Sequence, residues 1–103
     1  MKIYISLPIT GRDFEDVEAD SIFASGVIQS KGHTPVSPIE LAHADPEDYP
    51  AVIGTDITAL LVCEAVLFLP GWQKSKGCRL EYEAAVIYGK EMYFDLDEIE
   101  TVK

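Results

Sequence analysis

The sequence predicts a doubly wound α/β domain of the flavodoxin-like kind, a parallel sheet of four to five strands with helices on both faces. Three observations lead there. Short β-branched and apolar runs alternate with helix-length segments in the order β-α-β-α-β-α-β, the pattern of a parallel sheet with right-handed crossovers. The run Ala65 to Leu69 (AVLFL) is apolar at every position, as expected of a strand covered on both sides. A chain of 103 residues, 48% of them hydrophobic, holds one core and one domain. We therefore expect a single domain over 1-103, without internal repeat or linker.

The elements follow in order. Lys2 to Leu7 (KIYISL) is a buried-strand run that ends at Pro8. Asp13 is placed to cap a helix, along which Ala19, Ile22, Phe23, Gly26 and Val27 recur at helical spacing, and Gly32 stops it. His33 to Ser37 is a second strand, closed by Pro38. Residues 38 to 50 carry three prolines and several acids, which predicts a loop with at most one helical turn. Pro50 opens the next helix, with Ile53, Ile57, Leu60 and Leu61 as its apolar stripe. After the AVLFL strand and the loop Pro70 to Gly77 comes a helix over 78 to 88, with Leu80, Ala84 and Ile87 on one side. Glu91 to Leu96 is the last strand.

Charge narrows the function classes. Lys and Arg total 8 against 18 Asp and Glu, a formal charge of -10. Such a surface repels phosphate backbones and anionic lipid, so neither nucleic acid nor a membrane is an expected partner. The longest apolar run is too short to span a bilayer, and no cationic-then-apolar leader opens the chain. Cys63 and Cys78 have no second Cys/His pair at metal spacing, which argues against zinc. We read them as reduced thiols of a cytoplasmic protein. Neither a Walker A sequence nor a GxGxxG is present, so no cofactor is expected.

In open parallel sheets a ligand sits beyond the carboxyl ends of the strands, where strand order reverses. With order 2-1-3-4 that crevice lies between the first and third strands. The loops that follow those strands, 8 to 12 (PITGR) and 70 to 77 (PGWQKSKG), hold most of the unusual polar residues. The second loop runs into a helix whose first N–H groups favour an anion. Ser75, Lys74, Lys76 and Gly77 suit a phosphate or ribose there; Ser75 serves equally as a plain N-cap, and spacing alone does not choose. Glu81 lies about one turn into that helix, near the positive end of the macrodipole, where an acid is expected to stay ionised. Asp56 adjoins the apolar stripe of its own helix and so falls at the crevice rim. Two carboxylates from different elements facing one crevice suit glycosidic-bond chemistry, one attacking the sugar carbon and one handling a proton. Trp72, beside Gly71, is a candidate for stacking on a base. His33 and His43 have no partner pattern and read as structural or surface residues.

Together these segments resemble the nucleoside 2-deoxyribosyltransferase superfamily, including its 2'-deoxynucleoside 5'-phosphate N-hydrolase branch, and most of all the short bacterial and phage domains related to it. KIYISLPITGR resembles the first strand and glycine loop of that superfamily. The stretch from Asp56 to Leu69 resembles its aspartate followed by an acid before an apolar strand. SKGCRLEYEAA (75 to 85), followed by Tyr88-Gly89-Lys90, resembles its helix with the catalytic glutamate.

The resemblance implies cleavage or transfer at the N-glycosidic bond of a nucleoside or nucleoside 5'-monophosphate. Glu81 would be the nucleophile, Asp56 would contact the base or assist its departure, and Tyr4 would orient the glutamate. The substrate-binding set it implies is Ser6, Pro8, Thr10, Gly11 and Arg12 with Gly71, Trp72, Ser75 and Gly77. Ser75 matches a phosphate-binding serine of the nucleotide hydrolases. Pro8 stands where those hydrolases have a serine, and Glu83 where a glycine usually follows the glutamate. A homodimer is implied by the same resemblance. The alternative on the residues is a nucleotide-binding module or sensor without turnover; an interaction domain is the third class, and it leaves the glycine-lysine loop unexplained.

Overall fold

A computed structural model describes residues 1–102. Four parallel strands form one sheet in the order β2-β1-β3-β4. They are β1 (Lys2–Ser6), β2 (Thr34–Val36), β3 (Ala65–Phe68) and β4 (Glu91–Tyr93). Three helices alternate with them: α1 (Phe14–Ser30), α2 (Tyr49–Leu61) and α3 (Lys76–Ile87). This is the flavodoxin-like arrangement expected from the strand-helix alternation, with four strands. Short 3-10 turns occupy Pro38–Glu40, Trp72–Lys74 and Leu96–Glu98.

The sheet divides the core in two. Ile3, Ile5 and Leu7 of the first strand and its exit pack with Val17, Ala24 and Ile28 of α1. Tyr4, pointing the other way, packs with Val66, Phe68, Leu60 of α2 and Ala85 of α3. Successive side chains of β1 therefore enter opposite layers, and both layers are closed. That is why the strands are apolar throughout. Lys31 anchors the tail to the α1 side by donating to the carbonyls of Leu96 (2.6 Å) and Ile99 (2.8 Å).

Three expectations need correction. On α1 the buried positions are Val17, Ser21, Ala24 and Ile28, while Ala19, Ile22, Phe23 and Gly26 are exposed and Val27 is half-buried. Two of the four inward residues are small or polar, and Ser21 is satisfied by Ser37 at 2.6 Å, so apolarity did not mark the inner face. On α3 the inward residues are Cys78, Glu81 and Ala85; Leu80 and Ile87 are exposed and Ala84 is half-buried. The last strand stops at Tyr93. Residues 94 to 96 leave the sheet, where the Asp95 side chain accepts from Asp97 N–H at 2.9 Å and starts the final turn.

Candidate active site

The carboxyl ends of β1 and β3 are neighbours, with Ser6 paired to Phe68, and the loops that leave them meet there. Gly71 adopts the left-handed backbone (φ 91°) that turns the chain out of β3. Ser75 then caps α3, accepting a hydrogen bond from Cys78 N–H at 3.2 Å. With the cap fixed, Cys78, Glu81 and Ala85 share one face of α3 and turn toward the sheet.

Glu81 thereby meets the second layer of β1. Tyr4 donates its phenol O–H to Glu81 Oε2 at 2.5 Å, and Ser6 donates its hydroxyl to Oε1 at 2.7 Å. Both donors have no exposure, and Glu81 itself is 5% exposed. Asp56 comes from α2 on the same helical face as Tyr49, Ile53 and Leu60, and is 6% exposed. His43 Nε2 lies 3.0 Å from its Oδ1.

Burial dominates the electrostatics. Removal of Glu81 from water pushes its pKa up to about 7, with the hydrogen bonds from Tyr4 and Ser6 opposing the rise and the nearby Asp56 charge adding to it. This reverses the expectation that the helix dipole keeps Glu81 ionised. The residue is the sixth of α3, past the first turn where the dipole acts, and desolvation wins. Asp56 is also raised by burial, while His43 holds it down. Tyr4 is pushed far above its ordinary value, first by burial and then by the Glu81 and Asp56 charges, so it remains a proton donor. The two carboxylates are thus coupled and both biased toward carrying a proton, the condition in which one acts as acid while the other is ionised.

Beside this cluster lies a cavity of about 1150 Å³. Of the substrate-binding residues expected from the sequence, Pro8, Thr10, Arg12, Gly71 and Ser75 line it, together with Lys74 and Lys76. Arg12 reaches Asp20 at 2.7 Å and Pro8 O at 3.1 Å. Gly11 shapes the first loop with φ 80°. Gly77 packs closely against α2, where an added Cβ would lie 3.4 Å from Ile53 Cδ1 and 3.7 Å from the Tyr49 hydroxyl.

Other residues stand elsewhere. Ser6, expected on substrate, holds Glu81. Trp72 lies in an aromatic cluster, stacked on Tyr82 with centroids 5.0 Å apart and tilted against Phe68 at 5.3 Å, and it does not line the large cavity. Neither do Tyr4, Asp56 and Glu81. Ser75, which lines the cavity, caps the helix that carries Glu81 six residues later; between them, burial raises the Cys78 thiol pKa, with hydrogen bonds to the Ser6 and Ser75 hydroxyls opposing the rise. His43 is the residue that the sequence did not flag. It sits 13 positions before its partner, in an irregular loop, and no periodicity connects the two. Among the described residues no group of three or more His, Cys, Asp or Glu is placed to hold a metal ion, and no helix is long and apolar enough to cross a membrane.

The model of a family described as "Domain of unknown function (DUF4406)" matches residues 1–94. No curated protein sequence matches significantly. Among solved structures, the 2-deoxyribosyltransferase of Bacillus psychrosaccharolyticus superposes with a TM-score of 0.73 at 19% identity, covering 100% of this chain and 93% of that one. The 2-desoxiribosyltransferase of Leishmania mexicana superposes with a TM-score of 0.67 at 21% identity, covering 88% of this chain and 61% of that one. The fold is that of the 2-deoxyribosyltransferases.

Proposed function

The chain belongs to the DUF4406 family, and from its buried carboxylates we propose that it cleaves or transfers at the N-glycosidic bond of a deoxynucleoside 5'-monophosphate, as a homodimer. The observation that carries the reading is Glu81 held by Tyr4 and Ser6 at hydrogen-bond distance beside a second buried carboxylate, Asp56. A carboxylate fixed by two donors and shielded from water is a preorganised nucleophile. The fold shared with 2-deoxyribosyltransferases supports the same chemistry. Within that superfamily, the serine cap and basic loop favour the 5'-phosphate N-hydrolase branch and its short bacterial and phage relatives.

In the proposed reaction a Glu81 carboxylate oxygen attacks C1' of the sugar. The C1'–N bond breaks, its electron pair goes to the base nitrogen, and the proton of Asp56 passes to the departing base. Water then attacks C1', gives a proton back to Asp56, and the ester to Glu81 breaks. Replacing water by a second base in that step gives transfer. Tyr4 and Ser6 keep the carboxylate aimed, and His43 orients Asp56. The 5'-phosphate lies in the cavity on Thr10, Lys74, Ser75 and Lys76. Arg12 joins by exchanging Asp20 for a bidentate grip on the phosphate.

The test is free base released from a panel of deoxynucleosides and their monophosphates, with and without a second base. Release by the wild type and not by Glu81→Ala is the expected result; no release, or equal release by both, overturns the proposal. A second reading, nucleotide binding without turnover, is favoured by one observation: the cavity is lined without Glu81 or Asp56. Its signature is a nucleotide that raises the melting temperature while no base appears, a stabilisation of about 2.7 kcal/mol at a hundredfold excess over Kd.

A further inference from the structure

The large cavity and the Glu81 cluster belong to different sides of the sheet. Glu81 comes from α3 and meets Tyr4, whose layer is the one under α2 and α3. The cavity reaches instead to Ala24, Leu67 and Leu69 of the α1 layer and to Leu96, which packs against it. Its volume of about 1150 Å³ exceeds the roughly 300–1,000 Å³ usual for small-molecule sites. At the carboxyl edge between the two sides stand Arg12, Lys74 and Lys76, three of the eight cations in a chain of net charge -10. A ligand with its sugar at Glu81 and its phosphate on this edge does not reach the α1 side. We infer that the phosphate is where the ligand continues: the site takes a nucleotide joined through a diphosphate to a second nucleoside, whose base lies in the cavity beside α1.

The walls on that side suit a flat ring. Phe23 of α1 and Phe94, just beyond β4, both line the cavity and are 67% and 44% exposed. Phe94 stacks on the buried Phe68 with centroids 5.4 Å apart and planes at 19°, so an aromatic stack ends at the cavity wall. Its segment is held in place. Phe94 N–H donates to Glu98 Oε1 at 2.6 Å, and Asp95 Oδ1 accepts from Asp97 N–H at 2.9 Å. A base that stacks on a ring already fixed loses little to ordering the protein. Leu67, Leu69 and Leu96 complete an apolar floor.

Charge sets the length of the ligand. Arg12 stands toward α1, paired with Asp20, while Lys74 and Lys76 flank the start of α3. Cations on both sides of the edge suit two linked phosphates. Asp95 lines the cavity next to Phe94; its carboxylate repels a further phosphate and accepts from an exocyclic amino group of a base. A longer phosphate chain is also repelled by the acidic surface beyond. The occupant is therefore a small dinucleotide that ends in a base, and not the end of a nucleic acid. The inference rests on the N-glycosidic reading above for the half of the ligand at Glu81.

Calorimetric titration tests this with three ligands: deoxyadenosine 5'-monophosphate, the symmetrical 5',5'-diphosphate of two deoxyadenosines, and a short 5'-phosphorylated oligodeoxyadenylate. The parent protein is Glu81→Gln, so that no ligand is consumed. The dinucleotide is expected to bind about tenfold more tightly than the monophosphate, the gain from stacking one base, and the oligonucleotide no more tightly than the monophosphate. Phe94→Ala and Phe23→Ala, each added to the parent, are expected to remove most of the dinucleotide's advantage. If Phe94→Ala fails to fold, Phe23→Ala, at an exposed position, is read alone. Equal binding of dinucleotide and monophosphate, or an advantage that survives Phe23→Ala, overturns the second base site and leaves the N-glycosidic reading in place. An oligonucleotide that binds more tightly than the dinucleotide overturns the diphosphate ligand. No binding of any of the three overturns the inference as well, and the N-glycosidic reading falls with it only if the wild type also releases no base.

Discussion

Tyr4→Phe isolates one donor to Glu81 at almost constant volume. The phenol O–H lies 2.5 Å from Oε2, with no water to replace it, since Tyr4 has no exposure. In the wild type this hydrogen bond pulls the Glu81 pKa down against burial, leaving it at about 7. A hydrogen bond to a charged group contributes about 1.5–3 kcal/mol, and one pKa unit corresponds to about 1.4 kcal/mol. Losing the donor therefore raises the Glu81 pKa by about 1–2 units. Carbon-13 labelling of glutamate and titration of the Glu81 carboxyl resonance reads the midpoint directly, without reference to activity. If base release is measured as well, the acid limb of kcat/KM moves to higher pH by the same amount. Stability changes with the same sign. A carboxyl raised on folding favours the native state below its unfolded value near 4.5, and that contribution is lost as pH rises through about 7. In the variant the loss is larger and extends further into alkaline pH, so the variant is hurt more at pH 9 than at pH 5. A midpoint that stays put or falls would refute the view that Tyr4 sustains the ionised form.

Glu81→Gln abolishes base release and removes the pH-dependent loss of stability just described. Urea unfolding at a series of pH values should show a wild-type decline of about 3 kcal/mol between pH 4.5 and 8 that the variant lacks, because the carboxyl titrates near 4.5 in the unfolded chain and at about 7 in the folded one. His43→Ala takes away the partner that holds down the Asp56 pKa, so the alkaline limb of the pH profile moves upward while kcat falls about tenfold or more; an unmoved limb with unchanged kcat removes His43 from the site. Ser75→Ala loses the cap of α3 at a cost of about 1 kcal/mol by thermal unfolding. It also weakens binding of a nucleoside monophosphate more than of the parent nucleoside, a difference that calorimetric titration of the two ligands reads.

Local signals in the sequence carry most of the fold. The apolar run of β3, the proline and glycine boundaries and the helix cap at Ser75 each depend on residues close together in the chain, and the strand order is the one usual for flavodoxin-like sheets. Glu81 is visible for the same reason, because its position on α3 is fixed by a cap six residues earlier. Inward faces are harder to read. Ser21 is buried because Ser37 answers its hydroxyl, and Glu81 because Tyr4 and Ser6 answer its carboxylate; polar residues satisfied by distant partners look like surface to a periodicity count. His43 depends on a loop crossing α2, a long-range fact with no local trace. The ionisation of Glu81 escapes a local reading because its dipole environment is local while its desolvation is a property of the assembled layers.

In the proposed reaction Glu81 forms a covalent bond to the sugar. Acid quench of the protein during turnover of a deoxynucleoside monophosphate, followed by peptide mass mapping, tests it most directly. One deoxyribosyl phosphate group esterified to Glu81 is the expected result. Steady release of base with Glu81 unmodified, or with the adduct on another residue, contradicts it.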